Sequence, residues 1–216
     1  MKKLLILARI RFPLPALLLL ACLLFGSDVP VPDRYLLSKG YTVAIQGTSN
    51  LRDWQETVGE VTGEVVAEAG ADGSVELRSI HIKMEVHSIK SDIGKVMDNK
   101  TYEALKADAN PEILFCLSSP VKLTQVKDCR TAVPIKGTLT LAGVRRPVIM
   151  QVKTFEIGKG KLLFEGFQAI KMTDYGVKPP TALFGTMRAS PDITITFKTS
   201  FIKQINPTQF LPIKQN

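Results

Sequence analysis

Few side chains in this 216-residue sequence have the type and spacing that chemistry needs. The two histidines, His81 and His87, fall in one run of alternating apolar and polar residues, on its polar face. At about 3.3 Å per residue of strand, six residues hold them roughly 20 Å apart, too far to share one metal ion. Asp53 and Asp174 are the two acids set in segments of unusual composition, and nothing in the spacing pairs them as a hydrolytic couple. Cys116 and Cys129 lie near one strand and turn with no C-x-x-C between them, so both are read as free or buried thiols. Gly158-Lys159-Gly160-Lys161 sits between two strand-like runs and reads as a hairpin turn, since a phosphate cradle opens onto a helix. No H-E-x-x-H, G-x-S-x-G or Walker loop occurs. The residues point away from catalysis.

The elements that must position these residues are strands. Val43 and Ile45 alternate with polar neighbours, as do Val61, Gly63 and Val65, which run to a turn signal at Gly70-Ala71-Asp72-Gly73. Ile80, Ile82, Met84 and Val86 share a face; so do Ile113, Phe115 and Leu117; Val133, Ile135, Leu139 and Leu141; and Val148, Met150 and Val152. Leu162, Phe164 and Ile170, then Ile193, Ile195 and Phe197, complete about eight strands with one apolar face each. Single-faced strands mean an antiparallel sheet, because buried parallel strands are apolar throughout. Asp98 to Ala107 breaks the alternation with helix-forming residues, Tyr102 and Leu105 on one side, and is expected to be a short helix ended by Pro111. Periodicity alone leaves a sandwich and a closed barrel both open. It also leaves open whether Gly47, Gly63, Gly137 and Gly166, at inward positions, mark bends or room for a ligand.

Composition bounds the class. An apolar fraction of 45% and a charged fraction of 22% exclude a disordered tail or a disulfide-dense miniprotein. Lys2, Lys3, Arg9 and Arg11 precede an apolar run from Ala16 to Phe25 and then Gly26-Ser27, the layout of a secretory signal peptide over residues 1–27. Ten apolar residues are too few for a bilayer span, which takes about 20, unless flanking residues join the run as an uncleaved anchor. Leu19-Leu20-Ala21-Cys22 looks like a lipoprotein box, but its second position is large and the apolar run continues, so Cys22 is read as part of the signal rather than an anchor. Removing residues 1–27 lowers the net charge from +8 to +4, and with it goes the case for a nucleic-acid partner. Residues 28–203 then form the folded domain and 204–216, with Pro207 and Pro212, a surface tail.

Three patches carry the rest: GTSNLRDW from Gly47 to Trp54, the sole tryptophan; MDNKTYEALKADANPEILF from Met97 to Phe115; and GTLTLAGVRRPV from Gly137 to Val148, with KMTDYGVKPPTALF from Lys171 to Phe184 downstream. Their order resembles the YceI-like family of exported, polyisoprenoid-binding proteins from about Tyr41 to Phe201. One departure is Arg52, where relatives with G-T-S carry histidine, so no role of that imidazole transfers. The resemblance implies a lipocalin-like, eight-stranded antiparallel barrel that holds a long isoprenoid (a polyprenyl chain or an isoprenoid quinone), with no cofactor required. It also implies a periplasmic or cell-surface place, transient membrane contact and often a homodimer. By parity the tunnel would be lined by Val43, Ile45, Ile82, Met84, Phe115, Leu139, Leu141, Met150 and Phe164, with Trp54 near its mouth. Lys171, Tyr175 and Lys178 are expected in a loop where a polar head could meet them. The competing readings are a filled barrel serving as an interaction scaffold, and an enzyme acting on such a lipid through Asp53, Arg52 or Tyr175.

Overall fold

The computed structural model describes residues 32–123, 132–156 and 160–205. The expected signal segment, Cys22, Cys129, the first half of the 158–161 turn and nearly all of the tail lie outside the described residues. Thirteen strand segments are present: β1 (Asp33–Leu37), β2 (Thr42–Ser49), β3 (Asp53–Val58), β4 (Val61–Ala69), β5 (Val75–Glu85), β6 (Ile89–Ser91), β7 (Glu112–Leu117), β8 (Val121–Leu123), β9 (Val133–Leu141), β10 (Val144–Glu156), β11 (Lys161–Lys171), β12 (Thr181–Ala182) and β13 (Met187–Lys203). They trace eight courses, because β1 runs on into β2, β3 into β4, β5 into β6 and β7 into β8, while the two-residue β12 pairs only with β13 off the ring. Every pairing is antiparallel, each course lies beside the next in sequence, and β13 closes the ring by pairing both β1 and β2. The result is an eight-stranded up-and-down barrel in which every course is hydrogen-bonded to both neighbours over part of its length.

The breaks inside courses are kinks held by specific bonds. Between β3 and β4 the Tyr41 hydroxyl donates to the Gly59 carbonyl (2.8 Å) and accepts from the Val61 amide (3.0 Å). Between β5 and β6 the chain makes a single 3-10 turn over Val86–Ser88, and the Val86 amide donates to the Pro111 carbonyl at 2.8 Å. His87 therefore stands in a turn, not in the strand that carries His81. It lies edge-on to Tyr102, with its Nε2 3.8 Å from Asp108, while His81 faces Cys116 across β5 and β7.

The inserted helix, α1, is Lys95–Leu105, three residues earlier at its start than the composition suggested and two earlier at its end. Gly94, at φ +102°, opens it in a conformation that glycine adopts freely. Val96 is exposed in its first turn, so no apolar period marks the start. Pro111 does not end it. Lys106 does, in the left-handed conformation, with the Ala107 amide returning to the Tyr102 carbonyl at 2.9 Å.

Inward positions build one apolar core from Val43 and Val65 through Ile135, Leu162 and Phe201. The glycines at inward positions are neither plain bends nor open space: a Cβ on Gly63 would meet Ile82 at 2.8 Å and one on Gly166 the Gln151 carbonyl at 2.6 Å, and rings stand close to all four. A Cβ on Gly47 would stand 2.3 Å from the Trp54 indole, one on Gly137 2.2 Å from the Phe115 ring, and one on Gly166 2.9 Å from Phe197. Aromatic rings lying flat on strand glycines recover contact that a bare backbone lacks. Hydrogen bonding between β10 and β11 starts at Glu156–Leu162 and stops at Gln151–Phe167. Beyond that, residues 144–150 pair only with β9 and residues 168–171 only with β13, so the wall has a seam there.

Candidate functional site

The barrel interior holds two chambers in line. The deeper one, about 100 Å³, lies among Val61, Val65, Ile80, Phe164 and Phe201; the other, about 60 Å³, lies under α1 and the segment from Met172 to Pro180. Val43, Met84, Leu139 and Ile195 belong to both and form the neck between them. A third space of about 20 Å³ shares Trp54, Glu56, Thr101 and Pro180 with the second chamber and reaches Arg52, Ile93 and Met187 at the surface. Shared lining residues join the three spaces in one series, from the inner chamber to Arg52 and Ile93 at the surface.

The structure places every parity-derived residue on this line. Ile82, Phe115, Met150 and Phe164 face the deep chamber; Ile45, Leu141 and Trp54 face the outer one; Val43, Met84 and Leu139 stand in the neck. The polar candidates fare differently. Asp53, Lys171 and Asp174 border a broad open groove of about 1340 Å³ on the outside of the wall, where Val148 and Gln168 also contribute to the deep chamber beneath the seam. Tyr175 is not in a solvated loop: it is buried in a 3-10 turn over Met172–Tyr175, and burial raises its hydroxyl pKa. Lys178 is exposed and borders none of the three spaces. Arg52 alone of the proposed catalytic group reaches the line of cavities, at its outermost space.

The GTSNLRDW and helix motifs shape the mouth, the downstream motif reaches it at Pro180, and the Gly137–Val148 motif makes a turn. Gly47 seats the Trp54 indole, whose Nε1 donates to the Thr48 carbonyl at 3.1 Å. The Ser49 hydroxyl accepts from the Leu51 and Arg52 amides and donates to the Arg52 carbonyl, folding the tight link from β2 to β3. Asn50 clamps that link to the start of β13: its Nδ2 donates to the Thr186 carbonyl and its Oδ1 accepts the Arg188 amide, both at 2.8 Å. Tyr102 of the helix motif donates towards the His87 and Ile89 carbonyls, fixing α1 over the outer chamber. Ala142-Gly143 makes the two-residue turn between β9 and β10, both at positive φ.

Two residues of the site were missed by parity reasoning on apolar side chains. Glu56 lies between Trp54 and Val58 on the inward face of β3 and is only 4% exposed. The Thr101 hydroxyl on α1 donates to its Oε1 at 2.5 Å. Burial raises the Glu56 carboxyl pKa, the Thr101 hydrogen bond opposes this, and Asp98 and Asp92 raise it further by their charge. The signal was present as a charged residue at an inward parity position, W-Q-E-T-V, where the rest of the strand alternates correctly. Asp98 is buried too, but its Oδ1 accepts the Ser91 amide at 2.7 Å and Lys90 stands 3.7 Å from its Oδ2, which makes it a brace for α1. Among the described residues no three His, Cys, Asp or Glu side chains converge to hold a metal ion, and no helix is long and apolar enough to cross a membrane.

The model of the YceI-like domain matches residues 41–201. The chain belongs to the YceI-like family. No curated protein matches this family member. Among solved structures it is similar to Burkholderia cenocepacia BcnA, at 18% identity and a TM-score of 0.55, over 74% of this chain and 95% of that one. It is also similar to a polyisoprenoid-binding domain from Saccharophagus degradans implicated in plant cell wall breakdown, at 13% identity and a TM-score of 0.59, covering 81% of this chain and all of that one. The Campylobacter jejuni YceI protein aligns at 18% identity and a TM-score of 0.52, over 70% and 85%. At these identities the likeness shows a shared fold. The YceI-like barrel is thus the architecture on which the interior chambers and the buried Glu56 are built.

Proposed function

We propose that this YceI-like protein is an exported lipid carrier that takes the isoprenoid chain of an amphiphile, polyprenyl or quinone, into the barrel. In this reading residues 1–27 are the export signal, 28–203 the carrier domain and 204–216 a tail. The observation that carries it is the series of apolar chambers that leads from the surface at Arg52 and Ile93 into the barrel core. The polyisoprenoid-binding domain of similar fold supports the choice of ligand. An isoprenoid tail in water is penalised at about 0.8 kcal/mol per apolar carbon, so a tail of some tens of carbons leaves water for either the bilayer or the barrel. Exchange between those two can be nearly thermoneutral, as a shuttle requires.

The chambers also set a condition. A cavity of about 150 Å³ in a protein core accommodates benzene; the two here, about 100 and 60 Å³, are of that order. A long tail therefore enters only as side chains give way. Met84 and Met150, unbranched and adaptable, line the path, and the β10–β11 seam has no ladder to break as the wall widens. The rim suits contact with a bilayer: Leu51, Ile93, Val96 and the fully exposed Phe184 stand on the segments around the mouth.

The narrowness of the chambers is the one observation that favours the filled-barrel scaffold instead. Organic extraction of purified protein, followed by mass spectrometry, separates the two. An isoprenoid at near one per chain is the expected result. An extract without one, together with no uptake of isoprenoid from vesicles, removes the carrier reading and leaves the scaffold.

A further inference from the structure

The carboxyl of Glu56 is an unusual occupant of an apolar path. It borders both the outer chamber and the space that opens to solvent, so an amphiphile threaded tail-first brings its head past this residue. Thr101 engages Oε1, and no described residue hydrogen-bonds to Oε2. Among the described residues Oε2 is not a fully sequestered atom without a partner, although Glu56 as a whole is only 4% exposed. Around it the titratable groups are acids: Asp98 on α1 and Asp92 after β6, with Lys90 directed to Asp98. Arg52, the cation of this region, lies farther out and is exposed.

We propose that Glu56, oriented by Thr101, is the head-group recognition residue of this chain and selects isoprenoids that end in an uncharged oxygen, an alcohol or a carbonyl, over phosphorylated ones. This rests on the carrier reading and narrows it. A hydroxyl can donate to Oε2, and either a hydroxyl or a carbonyl can accept from it when the carboxyl holds its proton. A phosphate can accept at most one such bond and brings its charge up to Glu56, Asp98 and Asp92 in a partly dehydrated space. A plain hydrocarbon leaves the polar oxygen without a partner, the costly condition for a buried group.

The test uses the full chain and three probes of one carbon skeleton presented from vesicles: geranylgeraniol, geranylgeranyl phosphate and phytane. Binding is read by the emission of Trp54, the sole tryptophan, which lines the same chamber. Wild type is expected to bind the alcohol at least tenfold more tightly than the phosphate. Glu56→Gln keeps alcohol binding, because the amide still offers a hydrogen bond. Glu56→Leu binds alcohol and phytane alike while holding phytane at least as well as wild type. Circular dichroism checks its fold, and Thr101→Val, which frees Oε1 without touching the carboxyl, provides a second variant expected to erode the alcohol preference. Equal wild-type affinity for alcohol and phosphate overturns the proposal, as does a preference unchanged in Glu56→Leu and Thr101→Val. Tighter phosphate binding that is lost in Arg52→Ala overturns it too. If phytane and the alcohol bind with no head-group preference, this inference falls and the carrier stands; if no probe binds, both fall.

Discussion

At the scale of single residues, the site is governed by what lies flat against what. Gly47 is required because the Trp54 indole occupies the place of a Cβ, 2.3 Å from where that atom would be. Gly47→Ala therefore forces the indole outward into the outer chamber. The expected cost is about 1–3 kcal/mol, typical of overpacking, measured by urea unfolding and accompanied by a shift in tryptophan emission. The companion case is Glu56. Its carboxyl pKa is raised in the folded protein, chiefly by burial, so between the ordinary glutamate value and the raised one the native state binds more protons than the unfolded state. Stability from this group is complete below the ordinary value and declines as pH rises through the raised one. Glu56→Gln does not titrate. It should match wild type in mild acid and become the more stable of the two as pH rises, as followed by thermal melts across pH. A wild type that gains on the variant with rising pH would mean that the carboxyl is stabilised as an anion.

At the scale of elements, the period-two alternation made the inward face readable, because each course is apolar on one side only. That is why the nine residues named from parity all face the interior chambers. The kinks were not readable. Tyr41 looks like one more aromatic at the edge of a run, yet its hydroxyl replaces two ladder bonds where β3 turns into β4. Tyr41→Phe leaves the Gly59 carbonyl and Val61 amide without that partner, at an expected cost of about 1–2 kcal/mol. Hydrogen exchange should quicken at the Val61 amide before it changes at Ile135 in the core. The bounds of α1 were misjudged for a related reason: both ends are set by backbone conformations, at Gly94 and at Lys106, and Lys106 gives no sign of a left-handed residue in its side chain. Glu56 escaped notice because a charge in a strand is assumed to face water, and here the helix that crosses the mouth supplies the hydrogen bond that lets it face inward.

For the whole molecule, the question is how a barrel with so little hollow would accept the long chain proposed for it, and Val43 is the place to ask it. It is buried on β2 and touches both chambers at the neck. Replacing it by phenylalanine fills space that exists on either side, so the penalty of added bulk is partly offset by better packing. Stability should move by no more than about 2 kcal/mol. Retention of isoprenoid should fall sharply, since the ring blocks the passage from Trp54 to Phe164 while leaving the mouth, Glu56 and the rim as they are. The measurement pairs extraction and mass spectrometry with a denaturation curve on the same sample. If Val43→Phe unfolds readily, Val43→Leu gives a smaller plug and a graded version of the same test. A variant that is stable, plugged and still loaded would show that the chain does not run through the neck. The seam between β10 and β11, where Val148 and Gln168 border the deep chamber and the outer groove alike, would then be the route.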